Sequence, residues 1–281
     1  MIATAAPGRL DAAGYLICFL GIVRRELLRF VNQKERFFSA LVRPLVWLFI
    51  FAAGFRSVLG VSSTPPYETY VLYEVYVTPG LAAMIQLFNG MQSSLSMVYD
   101  REVGSMRLLL TSPFPRWSLL FAKLAAGVVV SVVQVYVFLA IARLWEVEIP
   151  PLGYLAALPA FLAAGLMLGA IGLFLSSLVR QLENFASVMN FVIFPMFFAS
   201  SALYPLWRIR ESSEALYLIC LANPFTHAVE LIRHALYLSF EPVAAAVVLG
   251  TTALFFLLAV MAYDPGRGIM GRRGGPTGEA A

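Results

Sequence analysis

Charge is what this sequence has least of: 13% of its 281 residues are Asp, Glu, Lys or Arg, against ~25% in an ordinary soluble domain. With 60% of the chain hydrophobic, a water-soluble fold of this size could not hide its apolar surface. The net charge of +4 is dispersed among apolar segments, which argues against nucleic acid as a partner. Two cysteines, Cys18 and Cys220, exclude a disulfide scaffold, and no C-x-x-C or Cys/His cluster offers a zinc site. The sequence holds no G-x-x-x-x-G-K-[ST] phosphate loop, so it is not expected to cradle a nucleotide's phosphates. Nor does it show an internal repeat, the mark of an inverted-repeat secondary transporter, or a Ser/His/Asp arrangement suited to hydrolytic chemistry. A signal peptide's order is missing too: the Arg cluster follows the short apolar run Tyr15 to Val23, so the start is expected to be retained and cytoplasmic.

The few charges are bunched. They leave uncharged stretches long enough for a helix rising ~1.5 Å per residue to cross ~30 Å of hydrocarbon. An all-α integral membrane fold follows, with six transmembrane helices expected at Phe38 to Phe55, Val75 to Val98, Ser118 to Ala142, Leu152 to Leu178, Asn184 to Leu203 and Val243 to Tyr263. Arg43 and Pro44 interrupt the first, with Arg43 near enough to one end to snorkel. The fourth, with 27 uncharged residues, would reach ~40 Å as straight helix, so it is expected to tilt, kink near Pro159 or project beyond the hydrocarbon.

Ahead of the spans, Leu16 to Phe37 is two-sided on a helical wheel. Leu20, Val23, Leu27, Leu28, Phe30 and Val31 share one face, while Arg25, Glu26, Arg29, Asn32, Gln33 and Arg36 share the other. Such a helix lies along the membrane interface. The organisation read from sequence is thus a cytoplasmic tail and amphipathic interfacial helix at 1–37, a six-helix transmembrane domain at 38–263, and a cytoplasmic tail at 264–281, expected to be disordered. With both ends inside, thirteen basic residues fall on the inner side and five on the outer, as the positive-inside rule requires. On that topology the two cysteines lie on opposite sides and do not pair. The segment Tyr204 to Pro242 is too polar to cross in one piece. Its helix-like stretches Ala215 to Leu221 and Phe225 to Leu238, broken at Asn223-Pro224, predict an extracytoplasmic helical hairpin before the last span.

Two features could carry function. The connection from Asp100 to Trp117, D-R-E-V-G-S-M-R-L-L-L-T-S-P-F-P-R-W, opens with charges, passes through an amphipathic stretch and stops at Pro113 and Pro115. A two-turn helix across the membrane plane is the expected result, with Met106, Leu109 and Leu110 beside Glu102 and Arg107 to grip a groove on a soluble partner. Within the spans, Gln86, Asn89, Ser93 and Ser96 line one face of the second helix, with Ser131 and Gln134 in the third and Ser187 and Asn190 in the fifth. They can line a translocation path or join helices by hydrogen bonds. Gly165, Gly169 and Gly172 suit close helix packing. His227, Glu230 and His234 share a helix face, but ligands at i and i+7 stand ~10 Å apart along the axis, so hydrogen bonding at the membrane interface is expected of them rather than metal binding.

The stretch Glu102 to Arg116, followed by L-L-F-A-K to Lys123, resembles the segment after the second span in type-2 (ABC-2) permeases of ABC exporters, a family that includes drug-export and polysaccharide- or lipid-export permeases. A second match, A-L-Y-P-L with Tyr204 and Pro205, then N-P-F-T-H-A-V-E-L-I-R from Asn223 and Pro224 through Glu230 to Arg233, is similar to the family's pattern before its last span. The resemblance implies that Glu102 to Thr111, Gly104 included, is a coupling helix docked on an ABC ATPase subunit, that the Leu16 to Phe37 helix packs beside it, and that Val179 to Glu183 makes a smaller contact. It implies a permease in the cell's inner membrane, paired with a second copy and exporting a drug, lipid or glycan, with ATP and magnesium held by the partner subunit and no cofactor on this chain. Short loops leave no room for the large external domain of some relatives. The rival is an ion-gradient-driven secondary transporter. Such machines commonly place a carboxylate in the membrane, and none of the six expected spans contains one.

Overall fold

The computed structural model describes residues 12–32, 34–55, 60–61, 65–67, 71–102, 115–145, 147–179 and 181–262. Helices dominate: α1 (Ala12–Asn32), α2 (Lys34–Phe55), α3 (Tyr73–Glu102), α4 (Arg116–Leu144), α5 (Pro151–Ala156), α6 (Leu158–Leu178), α7 (Leu182–Phe198), α8 (Leu206–Ser212), α9 (Glu214–Ala222), α10 (Pro224–Leu236) and α11 (Pro242–Ala262). A short antiparallel ladder joins β1 (Gly60–Val61) to β2 (Val71–Leu72), pairing Gly60 with Leu72 and Val61 with Val71. No sequence signal predicts it.

Each expected span falls on a helix, but the helices differ in kind. Among the described residues, three are long and apolar enough to cross a membrane: α4, the continuous pair α5–α6 over Pro151–Leu178, and α11. The bent pair α9–α10 makes a fourth if its halves count as one span. The other three expected spans fall short. In α2 the described apolar stretch is Leu41–Ile50, α7 has 17 residues against the ~20 a span needs, and Gln86, Asn89 and Gln92 dilute the apolarity of α3. The expected amphipathic stretch Leu16 to Phe37 is helical in α1, to Asn32, and in α2, from Lys34.

Prolines set several boundaries as the sequence predicts. Pro115, at φ −64° and ψ 145°, precedes α4, and its carbonyl accepts bonds from Ser118 N and Ser118 Oγ. The long fourth segment is interrupted by a single turn residue at Ala157, just before Pro159, which separates α5 from α6 without ending the run. Asn223-Pro224 bends the α9–α10 pair by 76°. At the centre stands α3, packed against α2, α4, α6, α7 and α10, while α11 lies outside on α6 and α10 and α1 lies on α4. Every residue from Tyr76 to Phe88 is buried.

Candidate functional site

Two polar clusters are built on α3. The first lies where α3 meets α4 and α6. Gln86 is buried and donates through Nε2 to Phe161 O at 2.7 Å, across to α6. One turn on, Asn89 Nδ2 donates both to Ile85 O within α3 and to Gln134 Oε1 of α4. Ser94 and Ser96 bond back to Gly90 O and Ser93 O within the helix, and Ser131 to Val128 O. Such bonds satisfy hydroxyls where no water can. Four sequence-predicted residues, Gln86, Asn89, Ser93 and Gln134, therefore meet at one seam. Ser96 bonds only back to Ser93 O within α3 among the described contacts, whereas Asn190 stands apart, exposed on α7.

Glycines make this seam possible. A Cβ on Gly90 would come within 2.9 Å of Gly169 N, and one on Gly172 within 2.7 Å of Ser94 Oγ and 3.0 Å of Gly90 O. Close packing of α3 on α6, as read for Gly169 and Gly172, is what the backbone shows. A cavity of about 10 Å³ remains, lined by Gln86, Ser93, Ser94, Lys123, Ser131 and Gly165 among others, room for about one water molecule. Lys123 is 6% exposed there, deeper than a residue of a terminal turn.

The second cluster is at the opposite end of α3, and sequence reasoning missed its centre. Arg233, the last residue of the second motif and one of the five basic residues assigned to the outer side, is 2% exposed. One guanidinium nitrogen donates to Glu230 in an i, i+3 ion pair, the other donates to Ser201 O at 2.9 Å, and the guanidinium carbon stands 4.1 Å from the centroid of the Tyr76 ring. A buried cation needs such compensation, and a guanidinium supplies both planar bonding and stacking on an aromatic face. Tyr76 Oη donates to Ser201 O at 3.0 Å and Tyr73 Oη to Leu203 O at 2.8 Å. Gly80 completes the join, since a Cβ there would lie 2.6 Å from Ala202 O. In the loop before α3, burial pushes the Tyr67 phenol up to about 12, with the nearby Arg233 charge opposing, so it stays neutral at physiological pH. The available signal was the Tyr73/Tyr76 pair one helical turn apart, upstream of the Arg that closes the second motif.

That motif now has a physical reading. Asn223 caps α10 by accepting from Phe225 N at 3.0 Å, and its amide donates to Met196 O and Ala199 O at 2.8 and 2.6 Å, tying the bend to the end of α7. Pro224 takes the first helical position, where its missing N–H costs nothing. Thr226 Oγ1 reaches back across the bend to Cys220 O at 2.6 Å. Pro205 precedes α8, and Tyr204 beside it is exposed. His227 bonds Leu221 O at 2.9 Å and His234 bonds Ser239 Oγ at 3.1 Å. Cys18 and Cys220 are both free thiols.

On α1, Arg25 is exposed and paired with Glu26 at 2.7 Å. The side chains of Arg29 and Arg36 lie outside the described residues, as do Gly104, Met106, Arg107, Leu109, Leu110 and the tail 264–281; Glu102 is the last residue of α3. Glu74, one residue before the expected second span, falls in the first turn of α3 and is 4% exposed.

The ABC-2 type transporter family model matches residues 18–237, from α1 through the Arg233 cluster. The chain belongs to the ABC-2 type transporter family. Among relatives, one of Cyanophora paradoxa named as the transport permease ycf38 is 27% identical over 218 residues, 75% of this chain and 71% of its own length. A ycf38 permease of Porphyra purpurea is 26% identical over 220 residues, 76% of this chain and 72% of its own. A protein of Escherichia coli K12 named as the multidrug ABC transporter permease YbhR is 34% identical over 130 residues, 45% of this chain and 35% of its own. This ABC-2 permease is therefore a multi-pass membrane protein and the transport component of an ABC transporter, a class that works with an ABC ATPase.

Proposed function

We propose that this permease crosses the cell's inner membrane six times with both termini cytoplasmic, pairs with a second copy, and exports a drug, lipid or glycan with ATP hydrolysed on separate ATPase subunits. The observation that carries the reading is family membership in a sequence with no phosphate loop: the ATP, and the magnesium that accompanies it, then belong to the partner. Glu102, Gly104, Met106, Arg107, Leu109 and Leu110 form the docking surface, at the foot of the central helix. A push there is delivered to the element on which both polar clusters are built.

Six crossings are supported by the fold even where apolarity alone is weak. Polar residues of α3 face other helices rather than lipid, so its composition does not oppose a transmembrane position. A second copy is supported by α7, which exposes Asn190, Phe191, Phe194 and Phe198. An uncovered Asn amide in hydrocarbon needs a partner. On this reading Gln86, Asn89, Ser93 and Ser96 of α3, Gln134 of α4 and Asn190 of α7 are the polar groups available to a translocation path.

The test is transport into inverted membrane vesicles with and without the partner ATPase. Glu102→Ala and Arg107→Ala are expected to leave ATP hydrolysis running while transport falls. Full transport in vesicles stripped of every ATPase would overturn the proposal.

A further inference from the structure

A second cleft lies away from both polar clusters. It opens between α1 and the start of α4, holds about 310 Å³, and is lined by Tyr15, Leu16, Cys18, Phe19, Trp117 and Phe121 among others. That volume falls at the lower end of the ~300–1,000 Å³ typical of small-molecule sites. Its floor is aromatic: Phe19 stacks on Phe121 at 6.4 Å, and Phe121 meets Phe256 of α11 edge-on at 6.1 Å. An apolar void of this size forfeits dispersion contacts along its whole lining unless something slim and apolar fills it.

We propose that this cleft binds one acyl chain of an anionic phospholipid of the surrounding bilayer, with the headgroup phosphate held at Arg116. Three observations select that occupant. The protein is embedded in membrane, and α1 lies on the outside of α4, so the medium at the mouth of a cleft between them is lipid. The rim carries Trp117, 54% exposed, with Tyr15 in the lining and the exposed Arg116 adjoining, the residue types that settle at the headgroup boundary. The α4 side of the cleft is positive: Arg116 opens α4, whose first turn has no acidic side chain, and a helix start adds a fraction of a positive charge. A phosphate above an apolar chain complements that arrangement, whereas a neutral lipid or an apolar peptide leaves the cation unused. The assignment rests on the interfacial position proposed for α1, but on nothing about substrate or ATPase.

The experiment uses Trp117 as reporter. The other three tryptophans, Trp47, Trp145 and Trp207, are changed to Phe, and the protein is placed in nanodiscs of phosphatidylcholine doped with brominated phosphatidylglycerol or brominated phosphatidylcholine, with bromines at shallow and deep chain positions. Quenching is expected to saturate at low phosphatidylglycerol content. Arg116→Gln should weaken the preference about fivefold, the equivalent of the ~1 kcal/mol that one Arg gains near an anionic surface, and Cys18→Phe, which fills the cleft, should remove saturable quenching. Native mass spectrometry of the unaltered chain, comparing retained phosphatidylglycerol with that on Arg116→Gln alone, gives the same answer without the tryptophan changes. Equal quenching by both lipids, with equal retention by both proteins, would mean ordinary boundary lipid and overturn the site while sparing the placement of α1. No quenching at any bromine depth would mean that protein covers the cleft or that it lies outside the bilayer, overturning the site and the interfacial placement together.

Discussion

Helices α3 and α11 look reversed if apolarity is equated with burial. In α11 the sequence P-V-A-A-A-V-V-L-G-T-T-A-L-F-F-L-L-A-V-M-A has no charge, yet only Ala244, Val248 and Ala259 are buried, while Leu249, Leu257 and Met261 stand exposed. In α3, with Gln86, Asn89, Gln92 and four serines or threonines in its middle, every residue from Tyr76 to Phe88 is buried. In water the pattern would run the other way. In lipid the outside is as apolar as the inside, so a helix facing hydrocarbon must be apolar all round. Only a helix wrapped by other helices can place amides, a lysine or an arginine where partners exist.

Breaking the wrapped side should cost most. Arg233→Met removes the buried cation that holds Glu230, Ser201 O and the Tyr76 face, and is expected to destabilise the protein by about 3–5 kcal/mol, read as a fall in the thermal unfolding midpoint in detergent. Adding Glu230→Gln should recover part of the loss, because the stranded carboxylate contributes to it. No fall in the single variant would mean that the cluster does not hold α10 to α3. Next comes Gly90→Ala: its Cβ would meet Gly169 N at 2.9 Å, and pushing α3 off α6 should cost ~1–3 kcal/mol, with the Gln86 to Phe161 bond lengthened. The smallest effect is expected on the lipid side, where Leu257→Ala at 59% exposure should change stability by less than ~0.5 kcal/mol. A loss in the ~2–5 kcal/mol range of a core Leu→Ala would show that another protein surface, not lipid, covers α11.

Much of the helix plan was legible in the letters. Pro115, Pro159 and Asn223-Pro224 each mark a real boundary, because a proline lacks the amide and restricts its predecessor wherever it stands. The close approach foreseen for Gly169 and Gly172 also holds. Other features were not legible. Asn190 shares residue type and setting with Asn89, but one meets Gln134 and the other faces outward, and nothing local distinguishes them. Arg233 was counted as an outer-side charge, with no sign of its burial, because its compensation comes from Tyr76 and Ser201, 157 and 32 positions away in the chain.

Composition and spacing by themselves determined that this chain lives in a membrane, where its helices break and which family it belongs to, since hydropathy, proline chemistry and motif order are properties of the chain read in one direction. Only the tertiary structure decided which polar groups are partnered, which helix becomes the centre and where a cleft is left open, because each depends on which distant backbone carbonyl or ring arrives opposite a side chain in a medium that offers no water in its place.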